Sequence, residues 1–145
     1  MKNKYGPGFT LVELVVVVLI LGIMATISVP KMISVSTSAK DTAVLQSLTA
    51  VRDAIELYIA HNAGRYPGAN GNESSFKGDL SKYLRKFPVS TVAPLNNSVA
   101  MDKNGPIMGD GNPTKGWKYF YTTGTFIINN RRPTETDPSK TYDEW

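Results

Sequence analysis

The chain has 145 residues, with 16 lysines and arginines against 12 aspartates and glutamates, and no cysteine. That length holds one domain with a modest core, and the lack of cysteine excludes a disulfide framework and cysteine-based zinc or redox chemistry. Lys2 and Lys4 carry two of the four net positive charges, so the basic balance belongs in part to the first residues and argues only weakly for nucleic-acid binding.

Phe9 to Val29 then runs apolar, with Glu13 as its one charge. A helix over this stretch rises about 31 Å, close to the thickness of a bilayer core. Its many valines suit lipid, where every backbone group must be bonded within the segment. The lysines ahead of the run predict a cytoplasmic N-terminus with the remainder outside. The run is too long for a secretory h-region, and Ala25-Thr26-Ile27 is a poor cleavage site. The small residues Gly6 and Gly8 stand before it instead.

Glu13 has three readings. Thr10-x-x-Glu13 is a capping-box spacing, and the helix dipole favours a carboxylate there. A snorkelling interface residue is the second reading. The third is a charge that meets a partner, the usual state of an ionised group inside a membrane, where burial costs about 3 kcal/mol on insertion scales.

Pro30 is expected to end the run or kink the helix. A second helix is expected from about Lys31 to His61, on which Val44, Leu48, Val51, Ile55 and Tyr58 form one apolar stripe. Lys40, Asp41, Gln46, Arg52, Asp53 and Glu56 fall largely off it. Asn62-Ala63-Gly64 closes the helix and Tyr66-Pro67-Gly68 turns the chain. Residues 68–75 read as a polar loop. Asp79 is placed to N-cap a short helix whose Leu80, Tyr83, Leu84 and Phe87 face a core. Residues 88–116 read as loop with one strand at most. Alternation over residues 117–129 about Thr122-Thr123-Gly124 predicts a β-hairpin, and the tail from Arg131 to Trp145 reads as irregular.

Candidate chemistry is sparse. His61 is the one histidine and reads as a structural or surface group. Asp102-x-Asn104-Gly105 and Asp110-Gly111-Asn112 set oxygen ligands on glycine turns, a calcium pattern. Turn chemistry explains the same residues with fewer assumptions, so no cofactor or metal is assigned and calcium stays the alternative. Trp117, Tyr119, Phe120, Tyr121 and Phe126 suit a core or a stacking platform for DNA or glycan, with the core favoured. Arg85-Lys86 and Arg131-Arg132 read as solvated surface, so nucleic acid is not an expected partner. No nucleophile triad, phosphate loop or carboxylate pair stands out, and no enzyme is expected.

The stretch GFTLVELVVVVLILGIMATISVPK behind the head MKNKYGP resembles the class III signal of type IV prepilins and pseudopilins. AVRDAIELYIAHNAGRYP looks like the pseudopilin helix that closes in a Tyr-Pro turn. The resemblance implies a structural subunit of a type IV filament, acting in type II protein secretion or as a pilus. It implies cleavage after Gly8 by a prepilin peptidase, methylation of the new Phe9 amine, and pairing of Glu13 with that amine on a neighbouring subunit. Partners implied are like subunits, the peptidase, an inner-membrane assembly platform, and lipid before assembly. The fold implied is α+β and pilin-like: a long N-terminal helix packed on a small antiparallel sheet. Expected parts are a leader (1–8), a membrane and filament-core helix (9–30), an amphipathic helix (31–61) and a C-terminal globular part (62–145). Gly22 and Pro30 bracket a stretch expected to loosen in the filament. The location implied is the inner membrane, crossed once, with the C-terminal domain outside. The major pseudopilin of type II secretion carries an acidic, glycine-rich calcium loop in its C-terminal part. That pattern is not recognisable here and counts against this role. The alternative is a membrane-anchored minor pilin-like module that binds DNA or glycan through the aromatic hairpin.

Overall fold

The computed structural model describes residues 8–145, with the side chains of residues 27–34 and 37 outside that set. Most of the expected leader, with Lys2, Lys4 and Gly6, and the Pro30 ring therefore lie outside the described residues. The chain divides into two compact units, Met1–Ser36 and Thr37–Trp145.

In the first unit, helix α1 begins at Leu11, and its assigned range extends to His61. The helix assignment passes Pro30, so the end that was one of the two expectations there does not occur. A proline removes one backbone donor, and the bonds on either side carry the helix on. Leucines, valines and isoleucines are exposed on every face from Leu11 to Met24. Among the described residues no helix is long and apolar enough to cross a membrane. The span expected over residues 9–30 includes positions 27–30, whose side chains are outside that set.

In the second unit, the predicted stripe is the inner face of α1. Val44, Leu48, Val51 and Ile55 are buried, and Tyr58 packs against them half-buried. Ala63 and Gly64 both take positive φ, 53° and 78°, and Gly64 N–H donates to the Ile59 carbonyl at 3.0 Å. That is a left-handed helix stop, as Asn62-Ala63-Gly64 predicted.

Helix α2 spans Glu73–Leu80, which corrects the expected start at Asp79. Asn72 caps it, its Oδ1 accepting from Ser74 N at 2.8 Å and Ser75 N at 3.4 Å. Asp79 sits in the last turn and accepts from Gly68 N at 2.8 Å. Capping oxygens are interchangeable, and Asn72 stands where an extended residue (φ −104°, ψ 127°) can enter the helix. Phe76 and Leu80 reach the core, with Tyr83, Leu84 and Phe87 packed beside them.

The sheet has three strands in the order β1 (Val99–Asp102), β2 (Trp117–Phe120), β3 (Thr125–Ile128). The β2–β3 hairpin is antiparallel as predicted, pairing Tyr119 with Phe126. β1 lies parallel to β2, pairing Met101 with Tyr119, so the α+β class holds with a mixed sheet instead of a wholly antiparallel one. Parallel pairing needs a crossover of a dozen residues or more, and residues 103–116 supply it. Trp117, Tyr119, Phe126 and Ile128 share a core with the α1 stripe. Lys118, Phe120 and Ile127, on the alternate face, are buried as well.

The tail departs from its irregular reading. Tyr142–Glu144 forms a short 3₁₀ turn, Pro133 bridges to Thr141, and Tyr142 is buried. Tyr142 and Trp145 meet edge to face with centroids 5.3 Å apart.

Candidate functional site

The N-terminal turn of α1 carries the strongest sequence signal. Glu13 Oε2 accepts from Thr10 N at 2.8 Å and from Thr10 Oγ1 at 2.8 Å, while Glu13 N donates to Thr10 Oγ1 at 3.3 Å. This is the reciprocal capping box. Both bonds that the carboxylate accepts end on one oxygen, Oε2. A carboxylate has acceptor sites for more, so the cap leaves capacity for a cation. Phe9 is 78% exposed. A Cβ built at Gly8 or at Gly22 meets nothing within 4 Å. No contact within the described chain accounts for glycine at these two positions.

The aromatic hairpin is interior. Trp117, Tyr119, Phe120 and Phe126 are buried, and only Tyr121 is half-exposed. Phe76 stacks on Tyr119 at 4.2 Å, Trp117 on Phe126 at 5.3 Å, and Trp117 Nε1 donates to the Pro88 carbonyl at 3.1 Å. The four buried rings have no face free for a base or a sugar, and Tyr121 alone does not make the platform on which a DNA or glycan module would rest. His61 stacks on Tyr83 at 5.7 Å, with Nδ1 2.8 Å from the Leu57 carbonyl. Arg85, Lys86, Arg131 and Arg132 are exposed.

The two candidate calcium turns converge, but on a lysine. Lys118 Nζ lies 3.0 Å from Asp110 Oδ1 and 3.4 Å from Asp102 Oδ2. The bond from Asn129, with Lys118 adding to it against the effect of burial, holds the Asp110 carboxyl below the usual carboxylate range. Among the described residues no group of three or more histidine or acidic side chains is placed to hold a metal.

Two polar residues set apart from the apolar stripe are structural. Asp41 is buried, and its carboxylate accepts from Tyr142 Oη at 2.7 Å, Thr136 Oγ1 at 2.7 Å and Thr136 N at 2.9 Å. Its spacing of three from Val44 was the available signal: it extends the stripe by one turn. Half-buried Arg52 donates from Nε to the Phe126 carbonyl at 3.0 Å and from a terminal nitrogen to the Trp145 main-chain oxygen. Lys118 was legible as a charge inside an aromatic strand, WKYF, though its partners were not.

Residues 7–29 match the family model described as the prokaryotic N-terminal methylation motif. The type II secretion system core protein G of Pseudomonas aeruginosa is 31% identical over 117 residues, covering 73% of this chain and 82% of that protein. Core protein G of Klebsiella pneumoniae is 38% identical over 60 residues, 41% of this chain and 42% of its own length. The Aeromonas hydrophila protein of the same name is 34% identical over 67 residues, 46% of each. No solved structure gives a significant match. The methylation motif and the long match to the Pseudomonas protein carry one conclusion: this chain belongs to the type II secretion system core protein G family, whose members are pseudopilins, structural subunits and not enzymes.

Proposed function

We propose that the chain is processed after Gly8 and assembles through its N-terminal helix into the filament of a type II secretion system. The observation that carries this reading is the apolar exposure from Phe9 to Met24, in which Leu11 is 79% and Leu14 59% exposed. A surface apolar all round needs lipid or other helices around it. Before assembly that surroundings is the inner membrane, entered with the N-terminus in the cytoplasm. Afterwards it is a bundle of like helices drawn from the membrane at an assembly platform. Transfer from lipid to bundle adds little hydrophobic free energy, so packing and polar pairing supply the specificity. Cleavage creates an amine at Phe9, and Glu13 of one subunit pairs with that amine on the next.

Mass spectrometry of the chain co-expressed with its cognate peptidase tests the first step. The product is expected to lack residues 1–8 and to carry one added methyl group. An intact N-terminus would sink the reading.

A further inference from the structure

Between β1 and β2 the chain crosses over without a helix. Parallel neighbours are ordinarily joined by a helix that packs on the sheet. Residues 103–116 have no such element, so side chains must hold them in place. Asp102 ends β1, Asp110 lies midway along the crossover, and both direct a carboxylate oxygen at the ammonium of Lys118 on the middle strand. Lys118 is 9% exposed, and its Nζ lies 5.5 Å from the centre of the Phe120 ring. The remaining oxygens of the two acids are engaged. Asp102 Oδ1 accepts from Gly105 N at 3.2 Å, and Asp110 Oδ2 accepts from Asn129 Nδ2 at 2.9 Å. Asp110 N donates in return to Asn129 Oδ1 at 2.8 Å.

A calcium ion takes six to eight oxygens at about 2.3–2.6 Å. The turns that carry calcium-like residues offer it two carboxylates, each already bonded on both oxygens. A dication placed between them would also face the ammonium of a lysine held on a central strand. The donor set does not fit calcium.

We propose that Lys118 is the resident cation of this crossover, in the position a divalent ion would otherwise occupy, so that the fold of residues 103–116 is independent of calcium. An ammonium has three donors and no acceptor, which suits a site made of two carboxylates. A metal-held loop loosens when the ion is removed; a cation attached to the chain cannot be removed. This goes beyond the subunit reading and does not rest on it.

Thermal unfolding of the full chain in detergent tests the proposal, followed by near-ultraviolet circular dichroism of Trp117 and Tyr119. Melts in excess EGTA and in millimolar calcium chloride are expected to coincide within about a degree, since a ligand that does not bind the native state does not move Tm. Lys118→Met keeps the apolar stem and removes the charge; its Tm in EGTA is expected to fall by about 5–10 °C. A wild-type Tm raised several degrees by calcium overturns the proposal, and so does a Lys118→Met protein that melts with the wild type. Where Lys118→Met does not fold, Asp110→Asn decides in its place. A fall of about 4–8 °C supports the proposal, and an unchanged Tm overturns it.

Discussion

Tyr142 donates its phenolic hydroxyl to Asp41 Oδ1 at 2.7 Å, joining two residues 101 positions apart in the chain. Asp41 lies on α1, and Tyr142 belongs to the polar tail. The bond, with those from Thr136 to Oδ2, docks that tail.

Removing the acceptor is therefore costly. Asp41→Ala leaves the buried Tyr142 hydroxyl without its partner, while the N–H of exposed Thr136 can turn to water. An unsatisfied buried polar group costs about 1–3 kcal/mol, and a loss of that size in denaturant unfolding is expected. Tyr142→Phe removes one bond and is expected to cost about 1–2 kcal/mol.

The same carboxylate predicts an acid dependence. Burial pushes Asp41 up, but the bonds from Tyr142 and Thr136 outweigh it and hold the group below the usual carboxylate range. A depressed folded-state pKa means the native state binds fewer protons than the unfolded chain. The stabilisation is therefore complete above about pH 4, the unfolded value, and is lost as pH falls through the lower folded value. Unfolding free energies of wild type and Asp41→Asn are expected to converge as pH drops below about 4. A gap that stays constant with pH would contradict the assignment.

At the N-terminal turn, capping and the proposed intersubunit pairing are separable. Thr10→Val removes the hydroxyl half of the box and is expected to cost about 1 kcal/mol of helix-end stability while leaving filaments intact. Glu13→Ala is expected to be processed normally and to be absent from filaments. Crosslinking of assembled subunits and assay of secreted protein measure both. Equal defects in the two variants would reduce Glu13 to a capping residue.

Gly22 and Gly109 are expected to behave oppositely when replaced by alanine. At Gly22 an added Cβ meets nothing within 4 Å, and alanine is the better helix former by about 1 kcal/mol. Folding of the Gly22→Ala chain should be unharmed, and a loss of filaments would locate the need for glycine in the assembly. At Gly109 the added atom would lie 2.7 Å from Asn130 N. That backbone cannot give way cheaply, and a cost of about 1–3 kcal/mol is expected. Thermal melts of the two variants in detergent check both.

Asn72→Ala tests the corrected start of α2. Loss of the N-cap is expected to cost about 1 kcal/mol, with faster hydrogen exchange at Ser74 and Ser75, whose N–H groups it accepts. Asp79→Ala should leave those two amides protected and should expose the Gly68 N–H instead.

Features that depend on near neighbours in the chain were legible early. The 4, 3, 4, 3 spacing from Val44 to Tyr58 gave the buried face of α1, because helical periodicity is a local property. Asn62-Ala63-Gly64 gave its end, and Thr122-Thr123-Gly124 gave the hairpin turn, because turn conformations are set by a few residues. Thr10 and Glu13 are three apart, so their box could be read from spacing alone.

Contacts between distant segments could not be read that way. Asp79 and Asn72 are both able caps, and the chain entering each of them decides which one serves. β1 pairs parallel because of the path taken by residues 103–116, which have no periodicity to announce it. Lys118 and Asp41 stand at telling positions in a linear reading, but their partners do not show there. They become structural only when Asp102 and Asp110, or Thr136 and Tyr142, are brought to them. Local spacing determines helices, turns and the cleavage and methylation motif, because those depend on residues a few positions apart. Where a buried charge finds its partners depends on the path of the whole chain, and the fold alone settles it.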